Sequence, residues 1–169
     1  MTHHHQVWKI TLEIAEALNH MMARKLMHRD IKPANVFVDE NGSIKLGDLG
    51  LGKSFSSSRP DATSVVGTPY YMAPEVMNGS PYSYPADIWS LGCVAYELCN
   101  LRSPFYEKNS SLYVLFNKIK GGKYPPVDPA YGPGMQHLMN IMIILEPEKR
   151  ATLPEVLEFA YTQLQETSQ

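Results

Sequence analysis

The sequence is poor in everything that would mark a secreted or membrane-bound chain. It holds only two cysteines, Cys93 and Cys99, too few for a disulfide scaffold. They stand six apart on one predicted helix, on different faces, and are read as core residues rather than as a bridge. No apolar run is longer than Ile141 to Leu145, far below the roughly 18 residues that a membrane span requires. No leader peptide is read, because His3, His4, His5, Gln6 and Lys9 interrupt the opening stretch. Neither sign of charge dominates: 15 Lys and Arg face 17 Asp and Glu, for a net charge of -2. With no Lys/Arg block, neither nucleic acid nor an anionic membrane is expected as the main partner. Internal repeats are lacking too. At 169 residues, 44% hydrophobic and 19% charged, the chain has the makings of one globular domain of the cytosol or nucleus.

From Gln6 to about Lys25, Val7, Ile10, Ile14, Leu18, Met21 and Met22 recur at three- and four-residue steps, which predicts an amphipathic helix. Two short β-like runs follow, Val36-Phe37-Val38 and Ile44-Lys45-Leu46, with Asn41-Gly42 as the turn signal of a hairpin. Residues 52 to 68 are serine-rich with little periodicity and read as a functional or disordered loop. The nearly all-apolar stretch Ala86 to Cys99 predicts a helix buried on most sides. Further helices are predicted at Leu112 to Lys120, Gly134 to Leu145 and Leu153 to Gln165, the last opening on a Thr152–Glu155 capping box. Pro125, Pro126, Pro129 and Pro133 make 123 to 133 a largely non-helical crossing. The expected fold class is mainly α with a small β-hairpin, a single domain over 1–169 with unstructured ends at 1–6 and 164–169. Trp8, Trp89, Met135, Met139 and Met142 are assigned to the helical core.

The chemistry sits around the hairpin. His28-Arg29-Asp30-Ile31-Lys32-Pro33-Ala34-Asn35 precedes it, and Asp48-Leu49-Gly50 follows, 18 residues after Asp30. The turn returns the chain, so Asp48 is expected beside Asn35. An Asp and an Asn side by side supply hard oxygen ligands of the kind Mg²⁺ prefers. Asp30 can accept a hydroxyl proton, and the Lys32 ammonium can steady transferring phosphate charge. His28 reads equally well as a packing histidine.

These segments, together with Ala73-Pro74-Glu75, resemble the catalytic loop, metal-binding triplet and activation-segment end of eukaryotic protein kinases, with Leu49 where the usual triplet has Phe. Val66-Gly67-Thr68-Pro69-Tyr70-Tyr71-Met72, Asp87-Ile88-Trp89-Ser90-Leu91-Gly92-Cys93 and Ser103-Pro104-Phe105-Tyr106 narrow the likeness to the NIMA-related (Nek) serine/threonine kinases, especially their short members. The resemblance implies a kinase large lobe, with a catalytic loop at 28–35 and an activation segment at 48–75. By it, Asp30 orients the substrate hydroxyl and accepts its proton. Lys32 contacts the γ-phosphate of ATP, and Asn35 and Asp48 hold Mg²⁺. Phe37 lies under adenine, and Thr68 joins Asp30 and Lys32. Glu75 pairs with Arg150, and Asp87 caps the catalytic loop. A phosphate on Ser64, four residues before Thr68, would dock on Arg29 and order the loop. Protein substrates with Ser or Thr, an upstream activating kinase and a cytoplasmic, nuclear or microtubule-associated setting are implied in the same way.

The kinase pattern is incomplete over these residues. No Gly-x-Gly-x-x-Gly loop, no Val-Ala-x-Lys strand and no helix with the partner glutamate is present, so the small lobe is expected to be absent. Two readings follow: a serine/threonine kinase lobe that transfers little or no phosphate alone, and a non-catalytic, kinase-derived binding or regulatory module. The face around His28, Phe37 and Leu49 is expected to be apolar and exposed. His3-His4-His5 is assigned no metal, and the serine run 56–58 is read as solvated loop.

Overall fold

The computed structural model describes residues 3–47 and 68–167. Over them the chain is mainly helical with one two-stranded antiparallel hairpin, the expected class.

Helix α1 (His3–Ala23) buries the stripe Val7, Trp8, Leu12, Ile14, Ala15 and Leu18. It begins earlier than its apolar pattern, so residues 3–6, within the stretch 1–6 expected to be unstructured, are helical. His3 Nδ1 lies 2.6 Å from the Tyr131 hydroxyl, and the Trp8 indole N–H donates to His4 Nε2 at 3.0 Å. The helix ends in a Schellman motif. Lys25 adopts φ 57, its N–H reaches Met22 O at 2.9 Å, and the Leu26 N–H reaches Met21 O at 3.0 Å.

After a single 3₁₀ turn at Pro33–Asn35 come β1 (Val36–Val38) and β2 (Ile44–Leu46), in the register Val36↔Leu46, Phe37↔Lys45 and Val38↔Ile44. Asp39 closes the turn by accepting from the Asn41 and Ser43 N–H groups, both at 2.9 Å, and Gly42 takes φ 77. The hairpin is tied to α1 because Glu13 Oε2 accepts from the Ile44 N–H at 2.7 Å and Lys9 Nζ donates to Gly42 O at 3.2 Å.

Beyond residue 67 come α2 (Pro74–Met77), α3 (Tyr84–Asn100), α4 (Leu112–Gly121), α5 (Gly132–Met142) and α6 (Leu153–Glu166). Helix α3 is the axis of the core, buried almost throughout from Ala86 to Tyr96. Helices α1 and α5 pack against it, and α6 lies against α1. Trp89, 0% exposed, stacks on Phe105 with ring centroids 5.6 Å apart. Met135, Met139 and Met142 are buried, as are the free thiols of Cys93 and Cys99. Helix α6 carries the predicted capping box and runs to Glu166, so residues 164–166 are helical rather than an unstructured end. Helix α5 stops at Met142, three residues short of expectation, because the Ile141 carbonyl accepts from the Ala151 N–H at 2.8 Å rather than from Leu145.

Candidate active site

The loop between α1 and the hairpin is shaped by a buried carboxylate on α3. Asp87, 3% exposed, accepts the His28 N–H at 2.9 Å on one oxygen and the Arg29 N–H at 3.0 Å on the other. A side chain that accepts from two consecutive backbone N–H groups can hold a conformation a non-glycine residue rarely takes, and Arg29 has φ 70. The Tyr82 hydroxyl donates to the same carboxylate at 2.6 Å, and the Arg29 guanidinium lies 5.9 Å from the Tyr82 ring centroid. Burial, then the Asp87 charge, push the Tyr82 phenol well above its ordinary range. Tyr82 had no sequence signal, since Pro81-Tyr82-Ser83-Tyr84-Pro85 reads as plain loop.

His28 is the second organiser, and here the expectation of an exposed apolar face is corrected. His28 is 1% exposed. Its Nδ1 accepts from the Asp30 N–H at 3.2 Å, which leaves Nε2 to donate to Gly47 O at 3.0 Å. The Gly47 N–H in turn donates to Asn35 O at 2.9 Å. Gly47 is therefore pinned through both backbone groups, beside Asn35 and the loop. Its missing side chain matters as well: a Cβ there would lie 2.5 Å from Phe37 Cε2. Of the expected apolar face, Phe37 is exposed, as is its neighbour Val38, and Leu49 lies outside the described residues.

Asp30, Lys32 and Asn35 converge. Asn35 Nδ2 donates to Asp30 O at 2.7 Å and to Asp30 Oδ2 at 3.1 Å, and Lys32 Nζ lies 3.5 Å from Asp30 Oδ2. Asn35 is buried, while the Asp30 and Lys32 side chains keep about a quarter to a third of their surface in solvent. With the amide nitrogen committed to Asp30, the Asn35 carbonyl oxygen is the atom that suits a hard cation. Among the described residues no group of three or more His, Cys, Asp or Glu side chains is placed to hold a metal. Asp48, Leu49 and Ser64 lie outside the described residues. Thr68 is exposed, and its carbonyl accepts from the Tyr70 N–H at 2.9 Å.

Glu75 on α2 and Arg150 before α6, 75 residues apart, form a forked ion pair with two 2.7 Å hydrogen bonds. Arg150 also donates to Ile144 O, Leu145 O and Pro85 O. The carbonyls at 144 and 145 lie just beyond the end of α5 at Met142. The segment just before α2 is bound to α3 as well, through Ser90 Oγ to Tyr71 O at 2.7 Å and Tyr71 hydroxyl to Glu97 Oε2 at 2.7 Å.

A mainly helical lobe with an acid, a lysine and an asparagine gathered at the foot of a short hairpin is consistent with the kinase large lobe that the resemblance implies. Comparison with known proteins agrees: residues 1–162 match the protein kinase domain, and the chain belongs to that family. The relatives it matches include Nek kinases. It is 40% identical over 158 residues to the probable serine/threonine-protein kinase nek2 of Dictyostelium discoideum, covering 92% of this chain and 37% of that protein. Over 147 residues it is 40% identical to serine/threonine-protein kinase Nek1 of Mus musculus, covering 87% and 12%. Over 156 residues it is 35% identical to Nek4 of the same organism, covering 92% and 19%. The sequence is Nek-like, and it spans between 12% and 37% of the length of these three relatives. No helix among the described residues is long and apolar enough to cross a membrane.

Proposed function

We propose that this chain is the catalytic-loop lobe of a serine/threonine kinase that moves the γ-phosphoryl group of ATP to a Ser or Thr hydroxyl. What supports the reading is the juxtaposition of Asp30, Lys32 and Asn35 within one hydrogen-bonded cluster. In this mechanism the Asp30 carboxylate aligns the substrate hydroxyl and takes its proton as the oxygen bonds to phosphorus and the bond to ADP breaks. Lys32 lies beside Asp30, where its ammonium offsets charge on the phosphoryl oxygens. Asn35, and Asp48 two residues beyond β2, would hold a divalent ion whose chemistry is to neutralise the phosphates. Asp87 and His28 set the loop so that Asp30 and Asn35 meet, and Arg29 is positioned over Tyr82 to receive a phosphate from Ser64. The segments 28–35 and 48–75 serve as catalytic loop and activation segment of one domain, acting on Ser/Thr proteins in the cytoplasm.

Because residues 1–169 include no glycine-rich loop, strand lysine or partner glutamate, we infer that they transfer phosphate slowly by themselves. The same observation favours a second reading, a kinase-derived regulatory module. The deciding experiment is radiolabelled phosphate transfer from ATP to a serine peptide, with Asp30→Asn as control. The kinase reading expects slow transfer that disappears in Asp30→Asn. Transfer that survives Asp30→Asn refutes the role of Asp30, and fast turnover refutes the inferred incompleteness.

A further inference from the structure

We propose that the outward face of α4, with the loop before it, is a docking surface for an acidic, apolar-anchored segment of a partner protein. The proposal does not rest on phosphotransfer. Helix α4 already spends one apolar face on the core, through Leu115 and Ile119, which are buried. Yet Leu112, Tyr113 and Val114 in its first turn are 47%, 76% and 37% exposed. Leu101 and Tyr106 in the preceding loop are exposed as well. Large apolar side chains exposed around one helical turn and in the loop beside it are the kind of surface that marks an interaction site.

Charge identifies the occupant. Residues 101–123 hold five cations, Arg102, Lys108, Lys118, Lys120 and Lys123, against one acid, Glu107. That is +4 in a chain whose total is -2, so the other residues together carry -6. The single acid is spent, because Glu107 pairs with Lys118 at 2.8 Å. Tyr113, Asn117 and Lys120 follow at four- and three-residue steps and so lie along one line of the helix opposite its buried side. The apolar anchors thus sit at the N-terminal end of α4 and the cations around its C-terminal end, where they also complement the helix dipole. A segment that places hydrophobic side chains beside Tyr113 and carboxylates beside Lys120 and Lys123 satisfies both halves.

The surface continues into a cleft of about 640 Å³ lined by Tyr70, Tyr71, Glu97, Arg102 and Tyr106, among others. A concave, aromatic-walled cleft that includes an anion suits a polypeptide better than a lipid headgroup layer or a uniform phosphate chain.

The test is selection of a random 12-residue peptide display library on the immobilised full chain, followed by fluorescence anisotropy of the selected peptides. Peptides enriched in Asp and Glu together with aromatic or aliphatic residues are expected. Their affinity should fall about tenfold or more in Lys120→Glu/Lys123→Glu and in Leu112→Ser/Tyr113→Ser, and should weaken as salt is raised. All four side chains are exposed, so an unchanged urea midpoint serves as the folding control. The proposal is overturned if no peptide is enriched, if the enriched peptides carry no acidic excess, or if either double variant binds them unchanged. It is also overturned, in favour of a membrane, if phosphatidylserine vesicles bind the chain and the selected peptides do not compete.

Discussion

Arg150 offers the sharpest perturbation. A guanidinium has five N–H donors, and here each has an acceptor: Nε to Ile144 O at 2.7 Å, Nη1 to Glu75 Oε1 at 2.7 Å and Pro85 O at 2.9 Å, Nη2 to Glu75 Oε2 at 2.7 Å and Leu145 O at 3.1 Å. The side chain is 1% exposed, that of Glu75 12%, and the guanidinium carbon lies 5.0 Å from the Trp89 ring centroid. Arg150→Met strands the Glu75 carboxylate and three carbonyls. Breaking a buried pair in this way costs about 3–5 kcal/mol, a large share of the roughly 5–15 kcal/mol that keeps a domain folded. Glu75→Leu added to Arg150→Met removes the stranded charge and should recover part of the loss, with a coupling of about 2 kcal/mol. The three carbonyls remain unpartnered, so the double variant should stay less stable than the parent. Urea unfolding followed by tryptophan fluorescence reads this directly, since Trp89 lies against Arg150. The reasoning fails if Arg150→Met costs less than about 1 kcal/mol, or if the two single losses simply add.

Three further outcomes follow from the packing. Asp87→Asn replaces an acceptor oxygen with a donor facing a backbone N–H, so it should cost about 1.5–3 kcal/mol. Amide exchange at His28 and Arg29 should quicken selectively, and unchanged protection there would remove Asp87 as the organiser of the loop. Gly92→Ala places a Cβ 2.8 Å from Ile143 Cγ1 and 3.0 Å from Met142 Cβ. Overpacking of about 1–3 kcal/mol should outweigh the gain in helix propensity of about 1 kcal/mol, and a raised melting temperature would contradict this. The Glu155 carboxyl is held below its ordinary value, first by the Thr152 backbone N–H and then by the Thr152 hydroxyl. A depressed value means that its contribution is complete above 4.5 and is lost as pH falls through the lower folded-state value. The melting-temperature gap between parent and Glu155→Ala should therefore be flat above 4.5 and close at lower pH. A gap that persists in strong acid would refute the capping role of its charge.

Local pattern carried the longer helices and the hairpin, because apolar spacing and an Asn-Gly turn are decided by near neighbours. What escaped it was decided at a distance. Helix α1 starts at His3 because its first histidines meet Tyr131 and Trp8, contacts invisible to periodicity. Helix α5 ends at Met142 because the Ile141 carbonyl, which the Leu145 N–H would need, accepts instead from the Ala151 N–H at 2.8 Å. Helix α2 has four residues, too few for a period to register. At the site, the motif spacing pointed to Asp30, Lys32 and Asn35 as one cluster. The burial of His28 needed Gly47 from across the hairpin, and Tyr82 needed Asp87 from α3.

The account stands on Asp30, Lys32 and Asn35 meeting Asp48 around a divalent ion and nucleotide phosphates. Paramagnetic broadening by Mn²⁺ with ATP, read by nuclear magnetic resonance on isotope-labelled chain, tests this most directly. The Asn35 side-chain amide and the backbone amides of Asp30 and Gly47 should broaden before any resonance of α6, and Asp48→Asn should abolish the effect. Broadening that spares Asn35, or that is unchanged in Asp48→Asn, would contradict the account.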